Sequence, residues 1–297
     1  MKKLYILLLL LSSVAICVQG CTGLSLIRSD VTFRNPYKQL DIVTVDSTSA
    51  EESGVLLRML PSAGGMRTYR EETKMYDFIK DEKGKKVNIK NDRQEIYLKG
   101  SRDDTYIIKY KTDYKQSSSK QEAEYEQTTS GEIVWFISGI HHSKQGKFKV
   151  LNWSRSALFP KENVQIGDSW KYEEVTTYEL DSFWVKNKSP EKIVIEAKST
   201  LVGFALVGDT RCAVIESVSV HNEHLHLRVL FKDIDLTIRA KIEEKMYLDY
   251  ATGTVMAKVF TTLSHTQSSD GRIAGTGQGQ SIIYLVSDEL KKGLLSE

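Results

Sequence analysis

The chain has 297 residues, of which 40% are hydrophobic and 27% charged, with 41 Lys and Arg against 39 Asp and Glu. Without its first twenty residues, which hold Lys2 and Lys3 and no acid, the balance is 39 against 39. A neutral chain of this kind lacks the concentrated basic charge that nucleic acid binding draws on, and it carries no polybasic patch for a membrane surface.

Residues 1–20 read as a signal peptide. Lys2 and Lys3 form a basic start, Leu4–Leu11 and Val14–Cys17 an apolar core, and Val18-Gln19-Gly20 a small-residue approach to a cleavage point. The apolar stretch, about 15 residues, falls short of the roughly 20 that a spanning helix needs.

Val18-Gln19-Gly20-Cys21 resembles the bacterial lipobox. The resemblance implies that Cys21 becomes the first mature residue and carries a diacylglyceryl thioether, with a further acyl chain such as palmitate on its amine. Two chains suffice for stable anchoring, since each buried methylene contributes about 0.8 kcal/mol. Ordinary signal peptidase would also accept Val18 and Gly20, leaving Cys21 unmodified. The mature chain keeps Cys21 and Cys212. Lipidation leaves Cys212 unpaired, whereas a free Cys21 permits a bridge between the two outside the cytoplasm. Cys212-Ala213-Val214-Ile215 is an apolar run in which Cys212 is expected to be structural and inert. Lipoproteins with Asp after the cysteine stay in the inner membrane, so Thr22 favours the outer membrane where one exists.

Residues 21–54 read as a tether, with a turn at Asn35-Pro36 and a Ser, Thr and Glu-rich stretch from Asp46 to Gly54. Beyond them the dominant period is two. Across Asp233–Asp249 the even positions are apolar and the odd ones polar, with Glu244 and Tyr247 as the exceptions. Such alternation marks an antiparallel sheet with one buried face. At about 3.3 Å per residue the run extends about 56 Å, so Glu244 marks a bend or bulge, or else the strand is long and curved. Tyr106, Ile108, Tyr110 and Tyr114 share a face, as do Ile193, Ile195, Ala197 and Leu201, and Leu225, Leu227, Val229 and Phe231. Turn signals fall at Gly84, Ser117–Ser119, Gly131, Gly253 and Gly271. Residues 287–297 form a tail that reads as a short helix at most.

Two stretches are similar: Met66–Thr73 and Ser169–Thr176 share aromatic and acidic placement, and the likeness continues as Val87–Leu98 with Ile193–Phe204 and Glu124–Phe136 with Met246–Phe260. The expected architecture is all-β: two duplicated units, 55–160 and 161–286, packed as one body in a sandwich or incomplete barrel. At their junction stands Leu158-Phe159-Pro160, Val164, then Ile166-Gly167-Asp168-Ser169-Trp170. This motif resembles an uncharacterised family of bacterial secreted proteins and lipoproteins with Gly-Asp-Ser-Trp before a strand; the resemblance implies location and β-fold. Gly167 is expected to supply a turn with positive φ, Asp168 to bond the backbone beyond it, and Trp170 to enter the core.

Chemical candidates are sparse. His224 and His226, two apart on a strand with His221 nearby, have a spacing that can clamp a metal, but their alternation with Leu225 and Leu227 points them to solvent. Glu122, Glu124 and Glu126 share a face without a calcium loop. Gly275-Thr276-Gly277-Gln278-Gly279 precedes a strand, where a phosphate loop needs a helix. No hydrolase motif is present, so no catalytic residue, cofactor or metal is assigned, and a hydrolase ranks last. The sequence points to a non-enzymatic binding or scaffolding lipoprotein that meets other envelope proteins. The alternative is a half-open barrel carrying an apolar ligand or lipid, its cavity lined by Tyr106, Tyr110, Tyr114, Trp135 and Trp153.

Overall fold

The computed structural model describes residues 40–79, 85–114, 119–143, 146–182, 185–187, 189–229, 232–271 and 274–290. The leader, Cys21 and the first part of the expected tether lie outside them. In chain order the elements are β1 (Ile42–Val45), α1 (Ser49–Glu52), β2 (Gly65–Ile79), β3 (Lys85–Lys99), β4 (Thr105–Tyr114), β5 (Ser119–Thr128), β6 (Ile133–Ser143), β7 (Gly146–Arg155), β8 (Ser169–Ser182), β9 (Val185–Asn187), β10 (Glu191–Val207), β11 (Thr210–Val229), β12 (Lys232–Asp249), β13 (Thr254–Ser268) and β14 (Ala274–Leu290).

Every neighbouring pair is antiparallel, and the sheet closes on itself. Strand β8 meets β10 from Glu191↔Tyr178 to Thr200↔Ser169, and β14 meets β2 from Gly275↔Ile79 to Leu290↔Gly65. Strands β2–β8 and β10–β14 therefore form a closed 12-stranded barrel, with β1 and β9 as additions at the β8–β10–β11 side. Alternation in the sequence shows that one face is buried and not what covers it. Here the covering face is the same sheet curled round, which replaces the expected sandwich or incomplete barrel. The resembling stretches Met66–Thr73 and Ser169–Thr176 open β2 and β8, the first strands of two runs of six that share the ring.

Strand β12 is a single continuous element of 18 residues, and both breaks in its alternation have causes. Glu244 faces inward with Ile242 and Met246, and its Oε1 lies 2.8 Å from Lys258 Nζ, close enough for an ion pair though poorly angled for a hydrogen bond. Tyr247 faces outward and is buried with Cys212, Val214, Ala257 and Val259 under Leu40 and Ile42. No bend at Glu244 is needed.

The inner face carries the core. Phe148, Tyr178, Ile193, Ile195, Leu225, Leu227, Leu236 and Ile238 fill one part of the barrel. Each contributes roughly 1.5–3 kcal/mol by burial. A second cluster stops one end: Val55, Leu57, Leu158, Phe159 and Val164 pack on Leu201, Phe204, Ile215 and Leu248. The strap 53–64 crosses the β12–β13 turn so closely that a side-chain carbon on Gly253, which also holds a φ of +67°, would meet Leu60 N at 2.2 Å. Strap and rim are joined by Met59 N–H donating to Thr129 O (2.8 Å) and by Arg58, which donates to Pro160 O (2.5 Å) and Lys161 O (2.6 Å).

Residues 40–54 do not behave as a tether. Beyond Ser169, the first residue of β8, β1 takes the place beside β10, pairing Ile42–Val45 with Val207–Phe204. Thr48 and Glu51 then form a capping box on α1, and the Glu51 carboxylate accepts from Arg211 Nε and Nη2 (both 2.6 Å) and from the Tyr250 hydroxyl (2.5 Å). Arg211, the first of these partners, holds the Glu51 carboxyl down at about 2 against the opposing effect of burial. The expected C-terminal helix is also absent from 287–290. Those residues continue β14, and Asp288 accepts from Arg67 Nε at 3.0 Å; the rest of the tail lies outside the described residues.

The outer face of the barrel carries many charges, with Val134, Trp135, Ile137, Val194, Val218 and Val220 exposed among them. Lys192, Glu196 and Lys198 alternate with buried Ile193, Ile195 and Ala197, and ion pairs such as Lys109–Glu124 (3.0 Å), Lys90–Glu72 (2.8 Å) and Lys245–Glu216 (2.7 Å) bridge its strands. A membrane-spanning barrel has the reverse pattern, an apolar outside around a polar inside, and each Lys or Arg facing lipid at mid-depth costs it about 2–4 kcal/mol. Among the described residues no helix is long and apolar enough to cross a membrane.

Candidate functional site: the barrel lumen

Inside the barrel, above the plug, lies a cavity of about 220 Å³. Met59 and Leu158 of the plug contribute to its lining, and the strands supply polar and aromatic groups that the sequence reading did not single out: Tyr69 and Glu71 from β2, Arg93 and Glu95 from β3, Tyr125 from β5, Arg155 from β7, Glu174 from β8 and Lys258 from β13. Charges face inward because alternation assigns every second residue to the lumen, whatever its polarity.

The cations of the lining are already engaged. Arg93 Nη2 lies 2.7 Å from Glu95 Oε1, with its guanidinium 5.5 Å from the Tyr69 ring and 5.9 Å from the Tyr110 ring. Glu95 also accepts from the Tyr97 hydroxyl. Burial opposes the charge on Arg93, yet Glu95, Tyr125, Glu71 and Tyr69 around it outweigh that effect and hold it protonated. Arg155 donates to Gly131 O (2.9 Å) and Gln127 Oε1 (3.0 Å), lies 3.9 Å from Glu174 Oε2, and sits 6.0 Å from the Trp153 ring. Lys258, paired with Glu244, is 5.8 Å from the Phe260 ring.

The carboxylates are less well matched. Burial raises the Glu174 carboxyl, with Arg155 drawing it part of the way back. Burial likewise raises Glu71, which has Arg93 nearby but, among the described residues, no cation within 4 Å; its Oε1 accepts from the Thr73 hydroxyl at 3.1 Å. Tyr125 stacks edge-on against Trp153, with ring centroids 4.7 Å apart, and is 8% exposed. Its hydroxyl lines the cavity without a hydrogen-bond partner among the described residues. Burial pushes that hydroxyl well above the ordinary tyrosine range.

The residues singled out from the sequence fall elsewhere. His224 and His226 lie on the outer wall, where Thr237 Oγ1 is 3.2 Å from His224 Nδ1 and Asp235 Oδ1 is 2.6 Å from His226 Nδ1. His221 faces the opposite way, buried, with its Nε2 3.0 Å from Glu223. Glu122, Glu124 and Glu126 share the outer face; burial opposes ionisation of Glu126, but hydrogen bonds from Thr105 and Ser101 prevail and lower its carboxyl. Gly275–Gly279 lies inside β14, paired on both sides. Of the expected aromatic lining, Tyr110 and Trp153 reach the cavity, whereas Trp135 is 66% exposed on the outside of β6, where a shift of register against β5 turns it away.

The junction motif ties the plug to the barrel wall. Gly167 holds a φ of +95° and donates to Leu201 O at 2.8 Å, and the Trp170 indole N–H donates to Leu158 O at 2.7 Å, pinning the plug. Asp168 accepts from Gln165 N–H at 2.8 Å, so it bonds the backbone before it where the backbone beyond was expected. Among the described residues Cys212 has no disulfide partner; it has no exposed surface, and burial, reinforced by Asp249, pushes its pKa up to about 12.

The site and fold together define a closed antiparallel barrel with a charged outer wall, one plugged end and a charged, aromatic-lined lumen. No family model and no curated protein matches the chain. Among solved structures it is similar to the outer-membrane expressed OmpT of Vibrio cholerae, at 11% identity and a TM-score of 0.24 over 77% of this chain and 100% of that one. The CymD monoaromatic hydrocarbon channel is similar at 8% identity and a TM-score of 0.27 over 82% and 97%. Likenesses this slight carry no argument about function or membrane insertion, and the wall chemistry described above stands on its own.

Proposed function

We propose that the chain is an exported envelope lipoprotein, anchored by acyl chains on Cys21, whose barrel stands in water and receives a small polar molecule in its lumen without transforming it. The observation that supports this reading is the 220 Å³ cavity with its inward-facing charges and a Tyr125 hydroxyl that has no hydrogen-bond partner among the described residues. At about 30 Å³ per water the space holds about seven waters, or a ligand of similar size. That size, and a lining with Glu71, Arg93, Glu95, Arg155, Glu174 and Lys258, suit a compact polar ligand better than the acyl chain or other apolar cargo considered from the sequence. Anchoring rests on Val18-Gln19-Gly20-Cys21 and the placement of the barrel on its charged outer wall; Thr22 favours the outer membrane where one exists.

Native mass spectrometry of the chain released from membranes tests the binding reading: a retained small polar molecule supports it, and a retained lipid or an empty barrel counts against it. Replacing Cys21 with Ser is expected to move the protein from the membrane to the soluble fraction; unchanged fractionation would refute the anchor. A second reading, docking of another envelope protein, is favoured by Val134, Trp135 and Ile137, which leave large apolar side chains exposed on β6.

A further inference from the structure

We propose that the lumen selects a small organic cation, a primary or quaternary ammonium, with Glu71 as its counter-charge. The inference rests on the lumen-binding reading above and adds the charge and chemical class of the ligand. Three acids and three bases line the cavity, but the bases are committed: Arg93 to Glu95, Lys258 to Glu244, and Arg155 to Gln127, Gly131 and Glu174. Each cation of the lining therefore has an acceptor close by, although Arg93 Nε is buried without a hydrogen-bond partner among the described residues. Glu71 is the lining carboxylate with no cation within 4 Å among the described residues; Arg93 acts on it only from farther away, and a carboxylate shielded from water gains from a closer counter-charge.

The walls favour the same sign. Each cation of the lining already sits near an aromatic ring, Arg93 at Tyr69 and Tyr110, Arg155 at Trp153 and Lys258 at Phe260. Ring faces attract cations through their quadrupole, most strongly where water is scarce. Tyr125, nearly buried and lining the same cavity, has a hydroxyl with no hydrogen-bond partner among the described residues, an acceptor for the N–H of a primary ammonium, while the rings serve a quaternary one as well. An acid with no cation in contact, aromatic walls and an acceptor are the parts that recognise an alkylammonium.

The test uses the full chain, purified from membranes and freed of endogenous ligand by dialysis, titrated calorimetrically with choline and cadaverine, and with acetate and inorganic phosphate as anionic probes. We expect one of the ammonium probes to bind with a dissociation constant below about 1 mM. Glu71→Gln is expected to weaken that binding at least about tenfold, as loss of a charge-assisted contact does, with an unchanged or raised melting temperature showing that the barrel is intact. Equal binding by Glu71→Gln overturns the assignment. Binding of acetate or phosphate alone overturns the cation class while leaving the lumen a binding site. No binding by any probe, together with an empty barrel in native mass spectrometry, overturns both readings.

Discussion

Replacing Glu51 with Gln tests how firmly the N-terminal segment is held to the barrel. In the native protein the carboxylate is 2% exposed and receives both Arg211 donors, the Tyr250 hydroxyl and the Thr48 N–H. Its pKa is lowered from 4.5 to about 2. At about 1.36 kcal/mol per unit, that shift corresponds to about 3 kcal/mol of stabilisation by the ionised form. The Arg211 side chain is 30% exposed, and solvent screening brings the contribution to about 2 kcal/mol. For a body of this size that is roughly 4–8 °C in melting temperature. A depressed carboxylate stabilises above its unfolded pKa and loses its effect as pH falls through the folded one. Melting curves of wild type and Glu51→Gln, followed by circular dichroism, should therefore differ by that amount from pH 5 to 7, converge below pH 4.5 and coincide near pH 2. A difference under about 1 °C at pH 7, or one that persists unchanged at pH 2, would refute the reasoning.

Inside the barrel, Lys258→Met leaves Glu244 buried without its cation and is expected to cost about 3 kcal/mol in urea unfolding, with at least half recovered when Glu244→Gln is added; an additive double variant would contradict the pairing. Cys212 should resist a thiol reagent such as DTNB at pH 8 in the native protein and react at once in denaturant, because burial removes both access and thiolate; rapid native labelling would show the outer groove to be open.

Much of the sheet is legible in the residues. In β10 and β12 the apolar and charged positions alternate so strongly that the buried face can be assigned by parity alone, and the two misfits of β12, Glu244 and Tyr247, point to a charged lumen and a covered outer groove. Other strands give no such contrast. Along Tyr69-Arg70-Glu71-Glu72-Thr73 both faces are polar, so nothing in the spacing tells that Glu71 points inward and Glu72 outward. On β13 a shift of register near Met256 reverses the parity, and Lys258 joins Phe260 on the inner face. Ring closure is illegible for a different reason: β8 and β10 pair around the small β9, and local alternation cannot say which distant strand completes a sheet. The turn at Gly167 was readable because glycine tolerates the required φ, whereas the inward and outward fates of Trp153 and Trp135 depend on bulges in β6 and β7.

The segment Ile42–Val45 has a consequence for how this molecule can be shortened. It satisfies the amide and carbonyl groups of Phe204–Val207 beyond the point where β8 stops. A barrel trimmed after Gly54 would present those groups bare, a docking edge for the same stretch of another molecule. A cut ahead of Leu40 therefore leaves this edge covered, and a cut behind Val45 leaves a barrel seeking a borrowed strand.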